Sequence, residues 1–286
     1  MNQDLLAVIQ DNLHTFSKGQ KKIASFILES YDKAAFMTAS RLGKRVGVSE
    51  STVVRFAAEL GYDGYPDMQR SLQKMIRSRL TSIQRMEVAN DRLGGQDLLS
   101  VVLQSDIEKI RQTLEELDRS GFEKAVEAIA AARKVYVIGV RSSAALSTFL
   151  TFYLNLILEN VVEVSANTTS GIFERLLWVG DGDVVIGVSF PRYSSRTVRA
   201  MQFARDRGAV TVAITDSEAS PLAPISQYTL RARSDMASFV DSLVAPLSLV
   251  NALLVAVSRK KGGLASTFQS LEKIWEEYGV YEKVPE

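Results

Sequence analysis

The sequence predicts two modules of different fold class, α + α/β: an all-helical domain at residues 1–80 and a doubly wound parallel-sheet domain at 97–286, joined by a linker at 81–96. Three observations carry this reading. Up to Leu80 the apolar residues recur at helical spacing. Thr81 to Gln96, ending NDRLGGQ, loses that periodicity and contains paired glycines. From Phe122 onward, short Val/Ile-rich runs alternate with helical stretches, the pattern of a parallel sheet covered on both faces. A chain of 286 residues accommodates two domains of ordinary size.

Asp4 to Leu13 sets Leu5, Leu6, Ile9 and Leu13 in helical register. Ser17 can cap a second helix whose Ile23, Phe26 and Ile27 turn inward. Its Lys18, Lys21 and Lys22 turn outward, as a solvated patch or as phosphate contacts. Thr38 to Gly61, TASRLGKRVGVSESTVVRFAAELG, reads as two short helices with a tight turn between them. Ala39, Leu42, Gly43 and Val46 form one stripe at i, i+3, i+4 and i+7. Gly43 leaves room for a crossing helix, and Gly47 can adopt the positive φ of a sharp turn. Ser49 is a good N-cap, after which Val53, Phe56, Ala57 and Leu60 repeat the stripe. The turn-rich GYDGYPDM follows, then a helix at Gln69–Leu80 carrying Arg70, Lys74, Arg77 and Arg79.

Opposite the second stripe lie Ser51, Arg55, Ala58 and Glu59, flanked by Glu50 and Thr52. Small polar groups and one long cation near the start of an exposed helix suit insertion into a DNA major groove. The candidate base-reading residues are Ser51, Thr52 and Arg55 with Ser49 beside them, and Arg41, Lys44 and Arg45 would sit over phosphates. A helical hairpin with a solvated charged face is the plainer alternative. The small residue, the turn glycine, the Val48 plug and the four stripe positions together favour DNA, and charge fits: residues 1–80 hold 12 Lys/Arg against 8 Asp/Glu, a surplus of +4, and the remainder holds 22 against 25, a balance of −3. The succession SKGQKKIASFILES, then AAFMTASRLGKRVGVSESTVVRFAAELGYDGYPDMQRSL, resembles the N-terminal domain of the RpiR/MurR-type bacterial transcription regulators. The resemblance implies a winged-helix-like helix-turn-helix that binds double-stranded operator DNA.

Asp97 to Leu117 regains helical periodicity through Leu98, Val101, Val102, Ser105, Ile107, Ile110, Leu114 and Leu117, a helix packing on its own domain or on a partner subunit. Strands follow at VYVIG (135–139), VVEVS (161–165), VVIGVS (184–189) and VTVAIT (210–215), with a weaker one at 228–232. Helical stretches separate them at Ala144–Leu158, Gly171–Val179 and Ser195–Arg207, and Leu264–Tyr278 reads as a final helix. Phe239–Val257 has about the length of a bilayer span. Asp241, Pro246 and Asn251 make it a buried core helix instead, which Pro246 opens or kinks.

In an open parallel sheet, ligands bind beyond the carboxyl ends of the strands, where helix N-termini direct N–H groups at anions. Two such junctions are hydroxyl-rich and carry an arginine: Gly139-Val140-Arg141-Ser142-Ser143, and Ser189-Phe190-Pro191-Arg192-Tyr193-Ser194-Ser195. Ser142 and Ser194 can be read as mere helix caps. The two clusters together favour an anion site, since arginine forks match phosphate or carboxylate. This half, with GDVVIGVSF, ARDRGAVTVAIT and SPLA as its most specific parts, resembles the sugar isomerase (SIS) domain over roughly 122–262. That resemblance implies a phosphosugar ligand whose phosphate is gripped by Ser142 and Ser143 of the first loop and Ser189 and Ser194 of the second. Pro191 and Arg192 depart from the usual Ser-x-Ser-Gly-x-Thr, and Arg141 stands where a second glycine is usual. One hydroxyl is lost and two cations are gained, which points to an anionic sugar derivative carrying a carboxylate or a second phosphate.

Cysteine is absent, which excludes disulfides and thiolate metal sites, and the acidic N-terminus lacks the basic region of a signal peptide. Isomerisation of a phosphosugar normally uses His with Glu. The single histidine, His14, falls in the helical half, while Glu163, Glu174 and Glu218 are isolated carboxylates near strand ends. No nucleotide loop, metal cluster or serine-hydrolase elbow occurs, so no cofactor or metal is expected. The reading is a cytoplasmic homodimeric or homotetrameric regulator that senses an anionic sugar derivative without transforming it. The alternatives are a phosphosugar isomerase with an accessory helical domain, and a metabolite-binding adaptor.

Overall fold

A computed structural model describes residues 5–76, 81, 83–86, 97–165, 168–235 and 240–282. The described residues form two compact units, one within Met1–Val102 and Met236–Asp241, the other within Leu103–Asp235 and Ser242–Glu286.

The first unit contains α1 (Leu5–Asp11), α2 (Lys18–Glu29), α3 (Tyr31–Ala34), α4 (Ala39–Val46), α5 (Glu50–Glu59) and α6 (Tyr65–Ile76). No strand occurs among the described residues of this unit, so the wing that the family resemblance implies is not found there. Its core gathers Leu5, Ile9, Ile23, Ile27, Leu42, Val53, Phe56, Met68 and Leu72. A reciprocal capping box starts α2: Ser17 accepts the Gln20 N–H, and the Gln20 side chain accepts the Ser17 N–H. The amide of Gln20 also donates to the Glu59 carboxylate, tying α2 to α5. Helix α6 starts earlier than the sequence predicts because Pro66 lies in its first turn, where a missing N–H costs nothing. The buried Tyr65 hydroxyl donates to Met37 O at 2.7 Å and anchors that start. Within the predicted linker, 83–86 form a helical turn. Arg85 there is buried, and its Nη1 donates to Asp241 Oδ1 at 2.7 Å. Residues 77–80, 82 and 87–96, predicted as helix end and linker, lie outside the described residues.

Chain order continues through α7 (Leu98–Glu116), α8 (Arg119–Ala131), β1 (Lys134–Gly139), a 3-10 turn at Arg141–Ser143, α9 (Ala144–Ile157), β2 (Val161–Glu163) and α10 (Thr169–Arg175). After these come β3 (Asp183–Val188), α11 (Ser195–Asp206), β4 (Val210–Thr215), β5 (Tyr228–Arg231), α12 (Val244–Lys261) and α13 (Ala265–Glu277). The strands form one sheet in the order β2-β1-β3-β4-β5, and every pairing is parallel. Side chains alternate along each strand and so supply both layers. Val135, Val137, Val184, Ile186, Val212 and Ile214 meet apolar residues of α8, α9 and α12. Tyr136, Ile138, Val185 and Ala213 meet those of α10 and α11. A methyl on Gly187 would lie 2.6 Å from Met201 Sδ, so the buried Met201 side chain of α11 occupies the space a larger residue on β3 would need.

Two helices bear on alternatives that the sequence leaves open. Pro246 opens α12 in its first turn, and no described helix is long and apolar enough to cross a membrane. Helix α7 buries its polar side: Lys109 and Thr113 are the inward residues, while Leu103, Ile107, Ile110 and Leu114 are exposed. Hydrogen bonding makes the polar side the inner one. Lys109 Nζ donates to Ser105 Oγ at 2.9 Å and Asp106 Oδ1 at 3.0 Å. Asp106 Oδ1 also accepts from Ser242 Oγ at 2.7 Å, and Thr113 Oγ1 accepts the Arg233 N–H at 2.9 Å.

Candidate functional site

Helix α4 ends at Gly47, whose left-handed backbone (φ 71°, ψ 48°) returns its N–H to Gly43 O. The chain then enters an extended Ser49, whose Oγ accepts the Thr52 N–H at 3.3 Å and lies 2.9 Å from Ser51 Oγ. A methyl on Gly43 would sit 2.8 Å from Val48 O, so the turn packs directly on the α4 backbone. Val53, Phe56 and Ala57 hold α5 to the core. Ser49, Ser51 and Arg55 are left exposed, as are Arg41, Lys44 and Arg45 of α4. Arg55 Nε donates to Ser51 O at 3.3 Å, laying the guanidinium back toward the start of its helix. Thr52 is placed differently: it is half-buried, its hydroxyl lies 2.8 Å from Ser49 Oγ, and its methyl lies 3.4 Å from where a Gly19 Cβ would be. It therefore sits at the seam with α2. Lys22, left undecided by the sequence, brings its Nζ within 3.9 Å of a Cβ position on Gly47, beside the turn.

In the second unit, β1 lies between β2 and β3. The chain leaving β1 returns on one side, and the chain from β3 onward builds the other, which makes the gap between β1 and β3 the topological switch point. The register Gly139↔Val188 brings the two arginine-bearing loops side by side at the carboxyl end of the sheet. In the first loop, a Cβ on Gly139 would meet Ser143 O at 2.6 Å and Ser147 Oγ at 3.0 Å, so the loop folds tightly over its strand. Ser143 is buried there (5% exposed), while Arg141 and Ser142 are exposed. In the second loop, Ser189 is buried (3% exposed) and its Oγ accepts the Ser194 N–H at 3.1 Å. Thr215 Oγ1 donates to Ser189 O at 2.8 Å. Ser194 caps α11, accepting from the N–H groups of Arg196 (3.2 Å) and Thr197 (3.5 Å).

The structure thus brings Arg141, Ser142, Arg192 and Ser194 to the two loops flanking the switch point, with Ser143 and Ser189 beneath them. The Ser189 hydroxyl already serves the loop as a brace. Sequence reasoning missed two neighbours. The Tyr193 hydroxyl donates to Asp216 Oδ1 at 2.8 Å. Thr197, in the first turn of α11, is fully buried, and its Oγ1 has no hydrogen-bond partner among the described residues. Arg141 (φ 58°) and Arg192 (φ 62°) are the only described non-glycine residues with positive φ. Of the carboxylates, Glu163 accepts from Thr148 Oγ1 at 2.6 Å and Glu218 lies 3.4 Å from Arg231. No group of His, Cys, Asp and Glu that could hold a metal occurs among the described residues.

The helix-turn-helix domain of the rpiR family matches residues 3–79, and the SIS domain matches 128–256. The sugar isomerase domain of an RpiR transcription factor from Sphaerobacter thermophilus is 32% identical, with a TM-score of 0.59 over 62% of this chain and 99% of that one. The chain belongs to the RpiR family of transcription regulators. It is similar over most of its length to the HTH-type transcriptional regulator HexR of Escherichia coli (strain K12), 25% identical over 272 residues, 91% of this chain and 89% of HexR. The NanR protein of Vibrio vulnificus, complexed with ManNAc-6P, is 24% identical with a TM-score of 0.60, covering 96% of this chain and 99% of its own. Membership makes the helical unit the helix-turn-helix domain of an RpiR regulator, and the five-stranded sheet its SIS domain.

Proposed function

We propose that this RpiR-family regulator binds operator DNA through α4 and α5 and senses an anionic sugar derivative in a SIS domain that does not turn it over. Arg41, Lys44 and Arg45 hold phosphates, while Ser51 and Arg55 probe base edges from the start of α5, with Ser49 and Thr52 fixing its N-terminus. The chain acts in the cytoplasm as a homodimer or homotetramer, and paired helical units read near-palindromic half-sites about 34 Å apart or a multiple of it. The effector phosphate is held between the β1 and β3 loops by Ser142, Ser194 and the N-terminus of α11, braced by Ser143 and Ser189. Effector binding favours one arrangement of the oligomer and so changes operator affinity.

The observation that carries the sensing half is the adjacency of two hydroxyl-rich, arginine-bearing loops at the switch point of the sheet. The ManNAc-6P complex of NanR supports a sugar phosphate as the effector. Binding without turnover is supported by the acid–base inventory. The single histidine, His14, belongs to the first unit and its Nδ1 lies 3.0 Å from Asp11 O, while Glu163 is held by Thr148 and Glu218 by Arg231. The test is a mobility-shift titration of the DNA flanking the protein's own gene, with and without a panel of phosphorylated sugars, beside a turnover assay on the same sugars. A shift modulated by a sugar that stays unconverted is the expected result. Isomerisation of any panel sugar would replace the sensor with an enzyme, and loss of all DNA affinity at low salt would leave an adaptor.

A further inference from the structure

We infer that Arg141 and Arg192 make the strand-end site selective for a sugar carrying two anionic groups, a phosphate together with a second phosphate or a carboxylate. This rests on the anion-site reading above and adds the ligand class and the residues that select it. Positive φ suits glycine, and an L-residue held there is strained. Among the described residues only Arg141 and Arg192 accept that strain, and both sit in the two loops that flank the switch point. Both are exposed, so neither is retained for packing. Strained residues persist where the surroundings over-determine them, and they concentrate at ligand clamps.

The charge inventory separates one anion from two. A single phosphate is already provided for by the exposed Ser142, by Ser194 at the start of α11, and by the buried Thr197 hydroxyl, which has no partner among the described residues. Helix N-termini hold phosphate with N–H groups alone. Two guanidinium forks, one from each loop, exceed that requirement, and each matches a planar carboxylate or a phosphate edge. The second loop carries buried Pro191 immediately before Arg192, so that position contributes neither a hydroxyl nor an N–H to a ligand. Recognition in this loop is therefore shifted from neutral donors to a full positive charge.

Isothermal titration of the full-length protein with fructose 1,6-bisphosphate, 6-phosphogluconate, glucose 6-phosphate and fructose 6-phosphate tests this, using the native chain and the R141G and R192G variants. Glycine removes the charge at a position whose backbone it adopts freely, so the fold is spared. At least one doubly anionic sugar should bind the native chain roughly 10-fold or more tightly than either monophosphate. Each variant should lose about that factor for the doubly anionic sugar and little for the monophosphates. The ligand-free melting temperature should hold or rise by about 2 °C as strain is released. Preference for the bisphosphate identifies a second phosphate, and preference for the phosphogluconate a carboxylate. Equal affinity for both classes, equal losses across all four sugars in the variants, or a lowered melting temperature would each overturn the inference. Binding of monophosphates alone removes the inference and leaves the sensor reading standing, whereas no binding of any phosphorylated sugar removes both.

Discussion

Alanine at Gly43 is a one-methyl test of how α4 and α5, the helices proposed to face DNA, are held. The added methyl would lie 2.8 Å from Val48 O and 3.4 Å from both Glu50 N and Ser49 C. Carbon contacts are comfortable near 3.5 Å, so the turn must retreat by about 0.7 Å. All three atoms are backbone, and no rotamer change can relieve them. Overpacking of this kind costs about 1–3 kcal/mol. Replacing glycine by alanine inside a helix returns about 1 kcal/mol. The net destabilisation of the helical unit is then about 0–2 kcal/mol, enough to measure but not to unfold it. The effect on DNA should be larger in proportion. Moving the start of α5 misaligns Ser51 and Arg55 with base edges, and a good base contact is worth about 1–3 kcal/mol of discrimination. Operator affinity should fall roughly 10–100-fold. Binding to scrambled DNA should persist, because the phosphate contacts proposed for Arg41, Lys44 and Arg45 do not depend on register. Fluorescence anisotropy on operator and scrambled duplexes, beside thermal melts, gives both numbers. Gly61→Ala is the control: nothing lies within 4 Å of its added methyl, and only the strain of φ +83° is imposed. An unchanged melt and unchanged operator affinity for Gly43→Ala would refute the close crossing, and equal losses on both duplexes would remove α5 from base reading.

Three further outcomes follow from the same geometry. Arg55→Ala should weaken operator binding by about 1–3 kcal/mol while leaving scrambled DNA nearly untouched, and a uniform loss in anisotropy would make Arg55 a phosphate contact. Burial holds the Tyr65 phenol above its ordinary pKa, so the neutral form is the one the fold stabilises. That stability is fully present below pH about 10 and is lost as the pH climbs past it toward the raised folded-state value. Tyr65→Phe should therefore lower stability by about 1 kcal/mol at neutral pH and flatten the alkaline decline of the helical unit in urea melts. In the sheet unit, the buried Asp183 carboxylate accepts from Arg133 Nε and Nη2, both at 2.9 Å, and from the Gly180 N–H at 3.1 Å. Arg133 is largely exposed and rehydrates when unpaired, so Asp183→Ala should cost about 1–3 kcal/mol, mainly through the Gly180 N–H left unsatisfied. A loss under 0.5 kcal/mol, the scale of an ordinary surface change, would show that bond to be dispensable.

The parts of this fold written locally were legible in the sequence. Gly43, Gly47 and Ser49 set the α4 turn α5 geometry through contacts within a few residues of each other, and the Val/Ile runs announced β1, β3 and β4 because parallel strands are apolar on both sides. Features decided at a distance were not. The apolar stripe of α7 was seen, but periodicity identifies a face without saying whether it turns inward. Asp106 and Thr113 turn the polar side inward through partners at Ser242 and Arg233, more than a hundred residues away. Helix α8 has an inward face of Ala125, Val126 and Ile129, but no capping side chain bonds its start and the sequence reading does not include it. Ser189 shows a related limit: its hydroxyl braces its loop by accepting the Ser194 N–H, and in sequence such a group looks the same as one that grips an anion.

The corners at Arg141 and Arg192 show the same limit from the other side. Arginine carries no local preference for left-handed backbone, so neither residue signals its own conformation. The loops impose it. The first corner lies between the Gly139 strand end and the Ser143 carbonyl folded over it, and the second is closed by the Ser194 N–H bonded back to Ser189. Each closure fixes where the chain must turn, and the residue at the corner takes positive φ whatever side chain it bears. Glycine would fill that position without strain, and its replacement by the same cation in both loops is what side-chain chemistry, and not backbone geometry, has to explain. If R141G and R192G keep the fold and change only which anions bind, the corners belong to the scaffold and the guanidiniums to the ligand.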